Sequence, residues 1–167
     1  NPTKKLEVNG DALINGITVG RGTGNSTYNT VFGKGAVREN TTGDANTVIG
    51  YESLKNNTTG NFNTATGHQS LTNNTTGNYN TAIGTLAGHT NTDGSYNTFI
   101  GYNANTQNGS YSKSTALGYE AKITKSDQIV LGKSNTPPEV YIPGNLSLNG
   151  TLNGVTSTEL GYLDGVT

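Results

Sequence analysis

The sequence predicts an all-β fold, a parallel β-solenoid wound from 17-residue coils, and three observations carry that prediction. Gly33, Gly50, Gly67, Gly84, Gly101 and Gly118 stand 17 residues apart. Three residues before each glycine stands a threonine, from Thr30 to Thr115 without exception, and four before it stand Asn29, Asn46, Asn63, Asn80 and Asn97, with Ser114 in the last copy. The two intervening residues are Val31-Phe32, Val48-Ile49, Ala65-Thr66, Ala82-Ile83, Phe99-Ile100 and Ala116-Leu117. A fixed period of this kind is the signature of a coil-on-coil architecture. A helix is excluded, because Gly and Asn-Gly recur too often and no 3.6-residue apolar stripe exists.

The composition explains why a repeat is needed. The 24 Gly, 24 Asn and 28 Thr make 76 of the 167 residues, while Leu, Ile, Val and Phe make only 32. That is just under the fifth below which a chain is suspected of disorder. The formal net charge of −1 removes the other half of that signature. An ordinary single-core globule is excluded, and a periodic fold that lets little apolar surface go far is expected. With no Cys there is no disulfide framework and no thiolate chemistry. No apolar run approaches the roughly 20 residues of a membrane span, and scattered Lys and Arg give no electrostatic footprint for nucleic acid. A chain that starts at Asn1 and has no Met reads as a piece of something longer.

Three regions are expected: a β-rich lead-in at 1–24, the repeat array at 25–134 and a neck or connector at 135–167. In the lead-in, apolar and polar residues alternate around Asn9-Gly10 and Asn15-Gly16, a tight-turn signal. Each coil of the array should hold a strand through Asn-Thr-x-x-Gly, a turn at Gly and a second short strand near the small residue Ala36, Ser53, Ser70, Ala87, Ala104 or Ala121. The return turn is Thr-Thr-Gly at Gly43, Gly60 and Gly77, Thr-Asp-Gly at Gly94, and slips register near Gly109. Partial copies at Val19-Gly20 and Val130-Leu131-Gly132 are expected to be capping coils. In the connector, Asn149-Gly150 and Asn153-Gly154 repeat the turn signal. Pro137, Pro138 and Pro143 should end the roll, and Thr156 with Glu159 has capping-box spacing for a short helix.

Adjacent side chains on a strand point to opposite faces, so the doubly apolar pairs imply burial on both sides. One face fills the coil. The other needs a second surface, which no other segment of this chain can supply, so a homo-oligomer is expected, its axis lined by one of the columns Val31, Phe32, Val48, Ile49, Ala82, Ile83, Phe99, Ile100 and Leu117. The Asn46, Asn63, Asn80 and Asn97 column should hydrogen-bond from coil to coil.

The units Asn46-Thr-Val-Ile-Gly50-Tyr-Glu-Ser53-Leu, Asn80-Thr-Ala-Ile-Gly84-Thr-Leu-Ala87 and Ser114-Thr-Ala-Leu-Gly118-Tyr-Glu-Ala121 resemble the head repeats of trimeric autotransporter adhesins. The resemblance implies a left-handed parallel β-roll, three chains about one axis, and a role in attachment at a cell surface. The typical repeat of that family is nearer 14 residues, so 17 implies a longer return loop. The flanks, from Asn1-Pro-Thr-Lys-Lys-Leu-Glu-Val-Asn-Gly10 and from Pro138-Glu-Val-Tyr-Ile-Pro-Gly to Val166, are similar to stretches of phage and large-virus tail-fibre proteins. That likeness implies an extracellular location on a virion fibre, a host receptor or glycan as partner, and no membrane insertion. The alternative it leaves is the head of a bacterial trimeric adhesin that binds host matrix or cells.

No catalytic, cofactor or metal site is expected. His68 and His89 fall at different repeat positions, no phosphate-cradling, zinc or calcium motif is present, and only Glu52 and Glu120 share a carboxylate column. Glu52 and Asp44 are the best remaining candidates for a glycan-processing enzyme. One ordered Thr per coil falls short of the paired threonines of an ice-binding face. The sequons at Asn25, Asn40, Asn56, Asn57, Asn73 and Asn74 follow from composition alone. Two aromatic columns could carry recognition: Tyr28, Phe62, Tyr79 and Tyr96 five before the glycine, and Tyr51, Tyr102 and Tyr119, with His68, one after it. Mutual stacking along the axis is expected ahead of receptor contact.

Overall fold

The computed structural model describes residues 10–133. It is all-β, and no helix occurs among the described residues. Seven strands follow one another in parallel along one sheet: β3 (Thr30–Gly33), β4 (Thr47–Ile49), β5 (Thr64–Thr66), β6 (Thr81–Ile83), β7 (Thr98–Ile100), β9 (Thr115–Leu117) and β11 (Ile129–Leu131). Threonine pairs with threonine from coil to coil, Thr47 with Thr64 and Thr64 with Thr81. The 17-residue period of the sequence is therefore the advance of one turn of a parallel β-solenoid of about six coils.

The ends differ. β11 pairs in parallel with β9, Val130 opposite Ala116, so the C-terminal partial copy is a genuine shortened coil. At the N-terminus the expected capping coil is replaced by a hairpin. β1 (Ala12–Ile14) and β2 (Ile17–Gly20) are antiparallel, and β2 is antiparallel to β3. Two reversals make this: the tight turn at Asn15-Gly16, where both residues have positive φ, 50° and 79°, and the segment between β2 and β3, where Gly20, Gly22 and Gly24 have φ of 156°, 77° and 88°. Asn9, Pro137, Pro138, Pro143, the connector turns and the Thr156–Glu159 cap lie outside the described residues.

The second strand of each coil is also corrected. It exists only as β8 (Asn105–Thr106) paired with β10 (Lys122–Ile123). In earlier coils the segment is a turn, because the residues two and four after the glycine are both left-handed: Glu52 and Leu54 at 49°, Gln69 at 54° and Leu71 at 48°. Two such residues in three cannot sit in a strand. At Asn105 and Lys122 only the first of the pair remains left-handed, and pairing resumes. Even in the turns, main-chain bonds run from coil to coil, as from the Leu54 N–H to the Ser70 carbonyl at 2.9 Å.

The glycine columns exist because coils approach closely. A Cβ on Gly67 would lie 2.5 Å from the Gly84 carbonyl oxygen, and one on Gly84 2.6 Å from that of Gly101. The return-turn column behaves alike, and the slip near Gly109 is absorbed when Tyr111 takes the place of the expected glycine: its carbonyl accepts the Asn97 amide at 2.6 Å.

The interior is thin and size-matched. Val31, Val48, Ala65, Ala82, Phe99 and Ala116 point inward and are buried, packed with Val37, Leu54, Leu71 and Ile123. Phe99 is the one large residue of its column. The residue in the Leu54 and Leu71 column beside it is Gly88, where a Cβ would lie 2.7 Å from the Phe99 ring and 2.9 Å from Leu71. A large-for-small exchange in one column is thus offset by a small-for-large one in the next, as close packing requires.

Candidate functional site: the outward face of the sheet

Through each strand the burial alternates, and in the first coil it does so over seven residues, Tyr28 out, Asn29 in, Thr30 out, Val31 in, Phe32 out, Gly33 in and Lys34 out. The outward positions therefore form parallel columns on one face: Thr30 to Thr115, then Phe32, Ile49, Thr66, Ile83, Ile100, Leu117 and Leu131. The two aromatic columns flank them at the edges, where the chain bends at a left-handed residue (Phe62, Tyr79 and Tyr96 at 56–61°) and at the glycine.

The columns proposed from sequence separate cleanly. Val31, Val48, Ala82 and Phe99 are at most 2% exposed, whereas Phe32, Ile49, Ile83, Ile100 and Leu117 are 37–50% exposed. Except at Phe99-Ile100, the larger side chain of each doubly apolar pair lies on the outside. Beside the hairpin, Ile17, Phe32, Ile49 and Tyr51 line an open apolar groove of about 290 Å³.

The aromatic residues stack. Phe62 on Tyr79 and Tyr79 on Tyr96 have centroids 4.9 Å apart with planes within 9°. Tyr51 stacks on His68 at 5.3 Å and Tyr102 on Tyr119 at 5.6 Å. Tyr28 stands outside its column's stack because Ala45 interrupts it. Ring planes one coil apart cover one another, so the faces a sugar would need are occupied except at the stack ends. Tyr51, Tyr79, Tyr96, Tyr102 and Tyr119 nevertheless remain 45–60% exposed.

Behind this face, polar ladders hold the coils in place. The side-chain oxygens of Asn29, Asn46, Asn63, Asn80 and Asn97 each accept the main-chain N–H one coil on, at 2.8–3.0 Å. Their amides donate to return-turn carbonyls such as Gly60 and Gly77. The expected Asn ladder is therefore present, but it links side chain to main chain rather than amide to amide. A second ladder was not anticipated: Asn57 donates to Asn40, Asn74 to Asn57 and Asn91 to Asn74, at 2.9–3.0 Å. Of these buried asparagines Asn40, Asn57 and Asn74 were legible only as sequons and Asn91 not at all, although their place three before each return glycine repeats with the same period. Asn40, Asn57 and Asn74 are thereby closed to glycosylation. A third ladder runs through Asp44, Asn61, Asn78, Ser95, Ser112 and Ser126, each accepting an N–H from the preceding coil.

The charged groups serve the scaffold. The main-chain N–H of Tyr28, with the Ser26 hydroxyl and the Thr27 N–H, holds Asp44 below the ordinary carboxylate value. Glu52 is lowered chiefly by the Gln69 amide at 3.0 Å and then by Lys55, also at 3.0 Å. Glu120 is lowered chiefly by Lys133 at 2.6 Å, and Lys133 is raised in return. His89 sits with Nδ1 3.1 Å from the Leu86 carbonyl and 2.5 Å from the Asn105 amide. Among the described residues no group of three His, Cys, Asp or Glu is placed to hold a metal, and no helix is long and apolar enough to cross a membrane. No protein-family model, curated protein or solved structure matches this chain.

Proposed function

We propose that the chain is a non-enzymatic structural segment of a homotrimeric fibre, exposed outside the cell as part of a viral or phage tail fibre used in host attachment. The single observation that supports it most is the outward column of Phe32, Ile49, Ile83, Ile100 and Leu117, 37–50% exposed on the parallel sheet. The column is continuous through the seven parallel strands but for Thr66, a rise of about 29 Å at about 4.8 Å per strand. Exposed apolar side chains in a row of this length mark an interaction surface. Copies of the same chain, packed about an axis, would bury it and complete a thin core.

The likeness of the repeats to trimeric adhesin heads, and of the flanks to tail-fibre segments, supports the placement on a fibre. Engagement of Glu52 and Asp44 in scaffold contacts argues against hydrolysis. The stacked rings favour a spacer that holds a receptor-binding tip away from the particle, with host glycan contact limited to tyrosine edges at Tyr51, Tyr79, Tyr96, Tyr102 and Tyr119. The second reading, the head of a bacterial surface adhesin, rests on the repeat likeness alone.

Immunogold electron microscopy of the source particles and cells, with serum against residues 25–134, tests the placement. Label on virion fibres is the expected result. Label on bacterial surface appendages would transfer the chain to the second reading, and label confined to the cell interior would contradict both.

A further inference from the structure

The apolar column that faces outward is nearly the same at every level, so copies of this chain could meet it in several alignments. One coil breaks the sameness. Thr66 stands between Ile49 and Ile83 in the outward column, paired with each across the sheet. It is the only polar member among Phe32, Ile49, Ile83, Ile100, Leu117 and Leu131, and with Thr64 it makes β5 the one strand with two outward threonines. It lies in the third of the seven parallel strands, off the centre of the stripe.

We infer that Thr66 selects the alignment of the copies: parallel, with equal coils at equal height. This rests on the trimeric reading above. In that alignment three Thr66 hydroxyls share one level, and each can donate to the next and accept from the one before, so a ring of three is closed. In an inverted pairing with full overlap, the third strand meets the fifth and Thr66 lies against Ile100. In a slip by one coil it lies against Ile49 or Ile83. Either places a hydroxyl in an apolar contact without a partner, which is unfavourable. A single buried polar residue that fixes register and strand number at some expense of stability is an established device in helical assemblies.

The absence of cysteine makes a direct test available. Chains carrying Ile100→Cys or Leu117→Cys, in the fifth and sixth strands, are mixed, refolded together and oxidised, and the disulfide-linked peptides are measured by mass spectrometry. Bridging needs Cα atoms within roughly 7 Å, so a pair offset by one coil is disfavoured in an in-register assembly, and neither site meets its own copy in an inverted one. With native Thr66, same-site disulfides should exceed 100–117 disulfides about tenfold. Thr66→Val, which replaces the hydroxyl with a methyl, should raise the 100–117 share at least threefold, and Thr66→Ser should leave it near the native ratio. An unchanged ratio in Thr66→Val, in samples that light scattering finds to be trimers, would overturn the role of Thr66 alone. Monomers in the native samples would overturn the trimeric reading and this inference with it.

Discussion

The two faces of the one parallel sheet are built from adjacent residues and differ in kind. Inward, Val48, Ala65, Ala82 and Ala116 are small and fully buried, with Phe99 the one large exception; outward, Ile49, Ile83, Ile100 and Leu117 are about two-fifths exposed. Burial of a large aliphatic side chain contributes about 1.5–3 kcal/mol, so an isolated solenoid would turn such residues inward. The coil interior already holds Leu54, Leu71 and two Asn ladders, so little room is left for the strand's inward side chain, and Phe99 fits only where Gly88 makes space. The remaining large apolar side chains of the strands stand on the outward face.

Adjacent residues give the sharpest contrast between the faces. Val48→Asp should place an unpaired charge in the coil interior and cost about 3–5 kcal/mol, enough to unfold the roll. Ile49→Asp, one residue on, should leave the coil intact and abolish association. Circular dichroism and sedimentation read the two effects separately; loss of secondary structure in both variants would erase the distinction between the faces.

Within the inner face, Gly88 and Phe99 should behave as one unit. Gly88→Leu alone overpacks the coil, by about 1–3 kcal/mol. Combined with Phe99→Ala, it restores the Leu71-type arrangement of the neighbouring coil and should recover most of that loss. A double-mutant cycle from denaturant unfolding checks this, and strictly additive losses would mean that the two columns do not share the space.

The smallest effect concerns the scaffold carboxylates. Asp44, Glu52 and Glu120 are lowered in the folded chain. Their contribution is therefore present above the unfolded values and is lost as pH falls through the lowered folded values. Thermal midpoints should decline modestly on the acid side of about pH 4, and Asp44→Asn should flatten that decline. All three carboxylates are partly exposed, so the change should weaken further in high salt.

Much of this was legible in the sequence, and the limits are instructive. The period, the strand at Asn-Thr-x-x-Gly and the shortened last coil follow from the recurrence of Gly, Thr and Asn. The aromatic stacking follows from spacing. What was missed depends on conformations that side chains do not announce. Leu54 and Leu71 are left-handed without being glycine, held there by coil-to-coil bonds, so the second strand was expected where a turn stands. The N-terminal partial copy matched the repeat in Val19-Gly20, yet the Asn15-Gly16 turn preceding it reverses the chain into a hairpin. The ladder through Asn40, Asn57 and Asn74 hid behind the Asn-Thr-Thr pattern of a sequon, and its last member, Asn91, lacks even that pattern. Which apolar column faced outward could not be read either, because both columns are apolar and only the backbone fixes their direction.

If the outward column is an interface between copies of this chain, as proposed, it sets the mass in solution. Multi-angle light scattering of the native chain at micromolar concentration reads that mass, with Ile49→Asp as the paired control. The expected result is three times the 17.4 kDa of one chain for the native protein and a folded monomer for Ile49→Asp. A native chain that is folded and monomeric would contradict the proposal.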